Sequence, residues 1–265
     1  MAVSARRVVL AGGVPAVVTD APGSSRPPVL YIHGMFGGAW MFESFARRLA
    51  ACGWPGAAID LRGHGDGRRV PDVGRVSVRE YIDDAMVAAR ALGRPIVIGH
   101  SMGGLLAQKL AEADAVRAAV LVCAAPPRGI SPMSLQLLVR QATHLPALLR
   151  SRPLVPTRAD ADALIFNRVP SAEHDALLAR LVAESGRAGR QLALGAITVD
   201  ARRVRCPVLS VTALDDRFLP PRIGRAIARK YGADLREYEG HGHFLIGEPG
   251  WERVADDVAA WLAAH

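Results

Sequence analysis

The sequence predicts an α/β protein with a mostly parallel central sheet flanked by helices. Two observations carry this expectation: short apolar runs without in–out alternation, and a helix-like stretch after most of them. Strands covered on both faces lose the alternation of a half-solvated sheet, and a parallel partner is reached only by a crossover, usually a helix. A third observation interrupts the pattern: between about Pro126 and Val204 the strand signal disappears and helical stretches punctuated by Pro146, Pro153, Pro156 and Pro170 replace it.

The elements follow in order. "RRVVLA" and "VPAVVT" flank Gly12 and Gly13 and read as a hairpin, because paired glycines tolerate positive φ. "APGSSRPP" is a loop. "VLYI" then leads to a helix over Trp40 to Ala51, "GAAID" to one over Val76 to Leu92, and "PIVIG" to one over Met102 to Ala113; "AVLVCA" closes this half. The interruption reads as helices in "SPMSLQLLVRQATHLPALLR", "RADADALIF", "SAEHDALLARLVAES" and "GRQLALGAI". Alternation resumes with "PVLSVTAL", a helix over Arg222 to Tyr231, "DLREYEG" and the helix "WERVADDVAAWLAA". The expected organisation is a core of residues 1–125 and 205–265 carrying a helical insertion, 126–204, over the C-terminal edge of the sheet.

Composition excludes several classes. At 265 residues, half of them apolar, the chain suffices for one well-filled core. No apolar run approaches the roughly 18 residues of a membrane span, and "MAVSARRVVLAGGVPAVV" lacks the layout of a signal peptide, so a cytoplasmic location is expected. Cys52, Cys123 and Cys206 are odd in number and far apart, which argues against disulfides or zinc spacing and for buried free thiols. The net charge of +8 is almost all arginine, Lys109 and Lys230 being the only lysines. Because the arginines are scattered singly and in pairs such as Arg202/Arg203, they read as a solvated surface rather than a nucleic-acid site. No cofactor and no metal is expected; homo-oligomerisation is left open.

The chemistry concentrates at strand ends. Gly99-His100-Ser101-Met102-Gly103 fits G-x-S-x-G at a strand-to-helix junction, the setting of a nucleophile elbow. A serine on so sharp a turn needs small neighbours, and the helix behind it aims N–H groups at developing negative charge. A serine hydroxyl also needs a general base and a group to orient that base. "TALDDRFLPP" offers Asp215 and Asp216 after one strand, and "EGHGHFLIGEPGW" offers His241 and His243 after the next. The Met102 N–H, directly after the serine, is positioned to serve an oxyanion hole.

With this chain order of Ser, Asp and His, the sequence resembles the α/β-hydrolases of the serine-hydrolase, esterase/lipase-like type with a helical cap, over most of its length outside the insertion. The resemblance implies the α/β-hydrolase fold and selects among the candidates. Asp216 stands four residues before Pro220, the family's register for the orienting acid, which leaves Asp215 as a turn residue. His243, between glycine and an aromatic, takes the base position, and His241 becomes a loop residue with a structural hydrogen bond. The H-G-x loop at His33-Gly34-Met35 implies the Met35 N–H as second oxyanion donor, with the His33 ring bracing the loop. "DLRGHGDG" resembles the family's architectural turn, with Asp60 and Arg62 satisfying backbone groups and each other; His100 is expected to pack rather than act as a base.

Ester hydrolysis through an acyl-enzyme on Ser101, on small, largely apolar esters, is the function this implies. A serine at the elbow argues against the family's dehalogenase and epoxide hydrolase branches, which need a carboxylate nucleophile. "DDRFLP" with "GHSMGG" also resembles the carbon–carbon bond hydrolases of meta-cleavage products, but His100 and Phe244 stand where those carry asparagine and tryptophan. Acyl transfer on the same triad and a small-molecule sensor with a hydrolase shell are further alternatives. Within the insertion, Met133, Leu137, Leu138, His144, Leu148, Ile165 and Phe166 are available to line an apolar pocket, or equally to pack the insertion on itself.

Overall fold

Eight short apolar runs become the strands of one sheet, in a computed structural model that describes residues 4–132 and 142–265. In chain order these are β1 (Ala5–Leu10), β2 (Val14–Thr19), β3 (Val29–Ile32), β4 (Gly56–Ile59), β5 (Ile96–His100), β6 (Ala119–Val122) and, after the interruption, β9 (Val208–Ala213) and β10 (Asp234–Tyr238). Their order across the sheet is β1-β2-β4-β3-β5-β6-β9-β10. From β4 to β10 all neighbours are parallel; the N-terminal hairpin joins antiparallel through β2 and β4. Every residue of β3, β4, β5, β6 and β9 is buried, which is why these segments read as unbroken apolar runs.

Helices α1 (Glu43–Ala51), α2 (Val78–Ala91), α3 (Met102–Glu112), α7 (Pro221–Tyr231) and α8 (Trp251–Ala264) accompany the sheet. Their ends follow local chemistry. Ser77 caps α2 in a reciprocal box with Glu80, Ser77 N–H donating to Glu80 Oε2 at 2.8 Å and Ser77 Oγ accepting from Glu80 N–H at 3.3 Å. At the other end of α7, Gly232 takes the left-handed conformation that stops a helix. Two apolar layers result, one packing α1 and α8 on the sheet and the other packing α2, α3 and α7. Among the described residues no helix is long and apolar enough to cross a membrane. Cys123 is buried as expected, but Cys206 is only half-buried and Cys52, at the end of α1, is exposed.

The segment between β6 and β9 departs from expectation in detail. Its described elements are α4 (Leu145–Arg150), β7 (Pro153–Leu154), a turn of helix Arg158–Asp160 running into a π-helical turn Ala161–Ile165, α5 (His174–Leu178), β8 (Glu184–Ser185) and α6 (Gly186–Ala193). A continuous helix through "SAEHDALLARLVAES" does not form. Beyond Leu178 the chain turns back: Val182 N–H bonds Phe36 O at 2.9 Å, and β8 pairs antiparallel with β7. These distant partners outweigh the local helical preference. The cluster Met133, Leu137 and Leu138 lies outside the described residues.

Candidate active site

The parallel strands all deliver their C-terminal ends to one edge, and the predicted residues meet there: Met35 after β3, Ser101 after β5, Asp216 after β9 and His243 after β10. Ser101 sits at φ 53°, ψ −118°, a strained backbone for a residue with a side chain. Surrounding bonds hold it there. Ser101 N–H donates to Val122 O at 3.0 Å, and Ser101 O accepts from Gly104 N–H (3.0 Å) and Ala125 N–H (2.8 Å). The turn is also crowded: a Cβ on Gly103 would stand 2.1 Å from Ile32 O, and one on Gly34 2.9 Å from the Ser101 Cβ. Those two approaches bring the β3 loop against the serine.

Ser101 Oγ lies 3.0 Å from His243 Nε2, and His243 Nδ1 lies 2.8 Å from Asp216 Oδ2. The other carboxylate oxygen of Asp216 accepts Phe218 N–H and Leu219 N–H, each at 2.8 Å, which aims Oδ2 at the imidazole. Asp215 is set apart, its carboxylate 2.7 Å from Arg168 and its carbonyl accepting Asn167 Nδ2–H at 3.0 Å. His241 does not reach the serine either; its Nδ1 stands 3.4 Å from Glu248 Oε1, which accepts Gly242 N–H at 2.7 Å. Cys123, which sequence reasoning passed over, contacts Asp216 from the end of β6. Burial pushes its thiol well above the ordinary range, and its Sγ lies within 4.8 Å of the carboxylate and imidazole atoms of Asp216 and His243. The Met35 and Met102 amides have no hydrogen-bond partner among the described residues, and both border the pocket that Ser101 faces.

The other histidines are held neutral or paired. His100 Nε2–H donates to His243 O at 2.8 Å, and burial beside the His243 ring pushes its pKa down to about 3. His33 Nδ1–H donates to Gly34 O at 2.7 Å while Nε2 accepts Leu61 N–H at 3.2 Å, so the ring braces the H-G-M loop; burial and nearby His64 lower it to about 4. Both histidines are neutral when folded and take up a proton near pH 6.5 when unfolded. Their effect on stability is therefore absent above pH 6.5 and grows as a loss while pH drops toward 4. Denaturant titrations from pH 7 to 4.5 are expected to show this loss; a flat profile would contradict the neutral assignment.

The "DLRGHGDG" turn corrects one pairing. Asp60 serves backbone N–H groups, at Ala39 (2.7 Å) and Asp66 (3.1 Å), but Arg62 pairs with Asp84 (2.6 Å) and Glu80 (3.2 Å), not with Asp60. His64 reaches further than packing: its Nε2 lies 3.0 Å from Glu184 Oε2, both side chains being fully buried. Glu184 also accepts from Tyr81 Oη (2.6 Å), Ser185 N–H (2.6 Å) and, at 3.4 Å, Phe36 N–H. Burial opposes both charges, yet attraction and hydrogen bonds outweigh it, holding the Glu184 carboxyl below and the His64 imidazole above their usual ranges. No local motif announces Glu184. Its partner stands 120 residues away.

Between the sheet edge and the β6–β9 segment lies an apolar pocket. Met35, Phe36, Met102, Phe218 and Leu219 line it from the sheet side, Leu148, Leu154, Leu164, Ile165 and Leu192 from the other. Phe166 instead packs into the core against Phe244, ring centroids 5.6 Å apart.

Residues 29–258 match the alpha/beta hydrolase family. The chain belongs to that family. It is 28% identical over 256 residues to a monoacylglycerol lipase of Mycolicibacterium smegmatis, a match covering 91% of this chain and 89% of the lipase. It is also 28% identical over 244 residues to a pimeloyl-[acyl-carrier protein] methyl ester esterase of Neisseria meningitidis, covering 82% of this chain and 86% of the esterase. A solved structure, the monoacylglycerol lipase of Paleococcus ferrophilus, superposes with a TM-score of 0.70 over all of both chains at 23% identity, which bears on the hydrolase fold alone.

Proposed function

We propose that this family member is a serine ester hydrolase acting on small, largely apolar esters. The observation that carries the reading is the unbroken line from Ser101 Oγ to His243 to Asp216, at 3.0 and 2.8 Å, opening on an apolar pocket. Ser101 attacks the acyl carbonyl and His243 Nε2 takes its proton. Asp216 holds the tautomer that leaves Nε2 free to accept and steadies the imidazolium that forms. The Met35 and Met102 N–H groups receive the oxyanion. His243 then protonates the departing alkoxide, and water attacks the acyl-enzyme along the same path in reverse, releasing the acid and restoring Ser101.

Residues 126–204 act in this reading as a cap that shapes the pocket, with 1–125 and 205–265 as the catalytic core. The relatives named as ester hydrolases support the reaction class. The test is a product assay on aryl esters from acetate to dodecanoate, with a ring-fission dienoate alongside. The expected result is multiple-turnover ester hydrolysis without carbon–carbon cleavage; a chain that turns over no ester, or only the dienoate, would overturn it.

A further inference from the structure

The pocket is apolar almost throughout, and its exceptions are specific. Among the described residues that line it, Ser101, His144 and Asp160 alone have polar side chains. His144, just before α4, and Asp160, just before the π-helical turn, form a pair with Nε2 and Oδ2 2.9 Å apart. Both stay partly open, 22% and 16% exposed.

The state of this pair follows from its neighbours. Burial pushes the Asp160 carboxyl up, but hydrogen bonds from Thr157 and His144 outweigh it and hold the group below its ordinary range. Thr157 Oγ1 donates to Asp160 Oδ2 at 2.5 Å and in turn caps the Asp160 N–H at 3.1 Å, so the carboxylate is fixed from two directions. An ionised carboxylate only accepts, so the His144 proton on that side resides on Nε2. In the neutral ring Nδ1 is then an acceptor, and it has no partner among the described residues. His144 lines an otherwise apolar pocket, and where an alkyl chain covers such an acceptor it loses its hydration, which only a donor on the ligand restores.

We infer that His144, held by Asp160, is a specificity-determining residue that accepts a hydrogen bond from a hydroxyl of the ester substrate, away from the scissile carbonyl. The inference rests on the ester-hydrolase reading and narrows it to hydroxylated esters. The hydroxyl can sit on the alcohol portion, as in a glycerol monoester, or on the acyl chain. The chemistry is shared, and substrates distinguish the two sources.

The experiment compares kcat/KM within matched sets in which one position carries hydrogen, hydroxyl or methoxy. One set varies the alcohol of an octanoate ester, the other the acyl chain of an aryl ester. A methoxy group accepts but cannot donate, and it is also larger than hydroxyl, so a steric wall is separated from an acceptor by the hydrogen member of each set, which a steric wall would admit at least as well as hydroxyl, and by a variant that keeps the bulk of the ring. In the wild-type protein the hydroxyl member of one set is expected to exceed its methoxy partner about tenfold, the scale of one hydrogen bond within an apolar site. In His144→Leu and in His144→Phe, which keeps a ring without the acceptor, that ratio is expected to fall to about one. Equal rates for hydroxyl and methoxy in both wild-type sets, or a ratio unchanged in the folded variants, would overturn the inference while leaving ester hydrolysis standing. Absence of turnover in every set would remove both.

Discussion

Ser101→Ala is expected to lower kcat for a short-chain aryl ester at least about a thousandfold while leaving the fold intact. The side chain is small and its backbone is held by Val122, Gly104 and Ala125, so the loss falls on chemistry rather than stability. The members of a triad act as a unit, and their effects do not add. His243→Ala, and the double variant, are therefore expected to sit near the same residual rate as Ser101→Ala, because the oxyanion donors survive in each. Steady-state kinetics beside thermal unfolding checks this; a double variant slower by the product of the two single losses would mean that Ser101 and His243 act independently.

Glu184→Leu is expected to cost about 3–5 kcal/mol of stability at pH 7, the scale for removing one partner of a buried ion pair. Three groups lose their acceptor together: the His64 ring, the Tyr81 hydroxyl and the Ser185 amide. The Phe36 N–H loses its weaker contact, so the loop carrying the proposed oxyanion donor Met35 loosens and kcat falls more than KM changes. The pH dependence has a defined sign. The Glu184 carboxyl lies below its unfolded value, so its contribution is present above about pH 4.5 and is lost as pH falls through the folded value. The His64 imidazole lies above 6.5, so its contribution is full below that pH and is lost as pH rises through the folded value. Urea unfolding at neutral pH is the measurement; a loss under about 1 kcal/mol would show that the pair is dispensable.

Most of the frame was legible because its signals are local. Unalternated runs mark β3, β4, β5, β6 and β9 since both faces of those strands are covered, and the Ser101 elbow needs small residues within a few positions of itself. Asp216 and His243 were separable from Asp215 and His241 only through the resemblance to the family's motifs, and in the structure the former pair lies in line with Ser101. What could not be read depended on distant parts of the chain. Glu184, the Asp216 contact of Cys123 and the β7–β8 ribbon all exist through partners remote in sequence, so no window around them carries the signal. Arg62 illustrates the same limit: the turn motif identified it as architectural, but its carboxylate partners lie on α2.

The most direct test of a covalent mechanism is the mass of the intermediate. Under brief exposure to a fluorophosphonate, and separately to an aryl ester quenched in acid within its first turnovers, the wild-type protein is expected to gain one adduct, located by peptide mapping at Ser101. Product release should begin with a burst equal to the enzyme concentration when deacylation is the slower step. Ser101→Ala should show neither adduct nor burst. An adduct mapped to another residue, or undiminished turnover by Ser101→Ala without an adduct, would contradict the account.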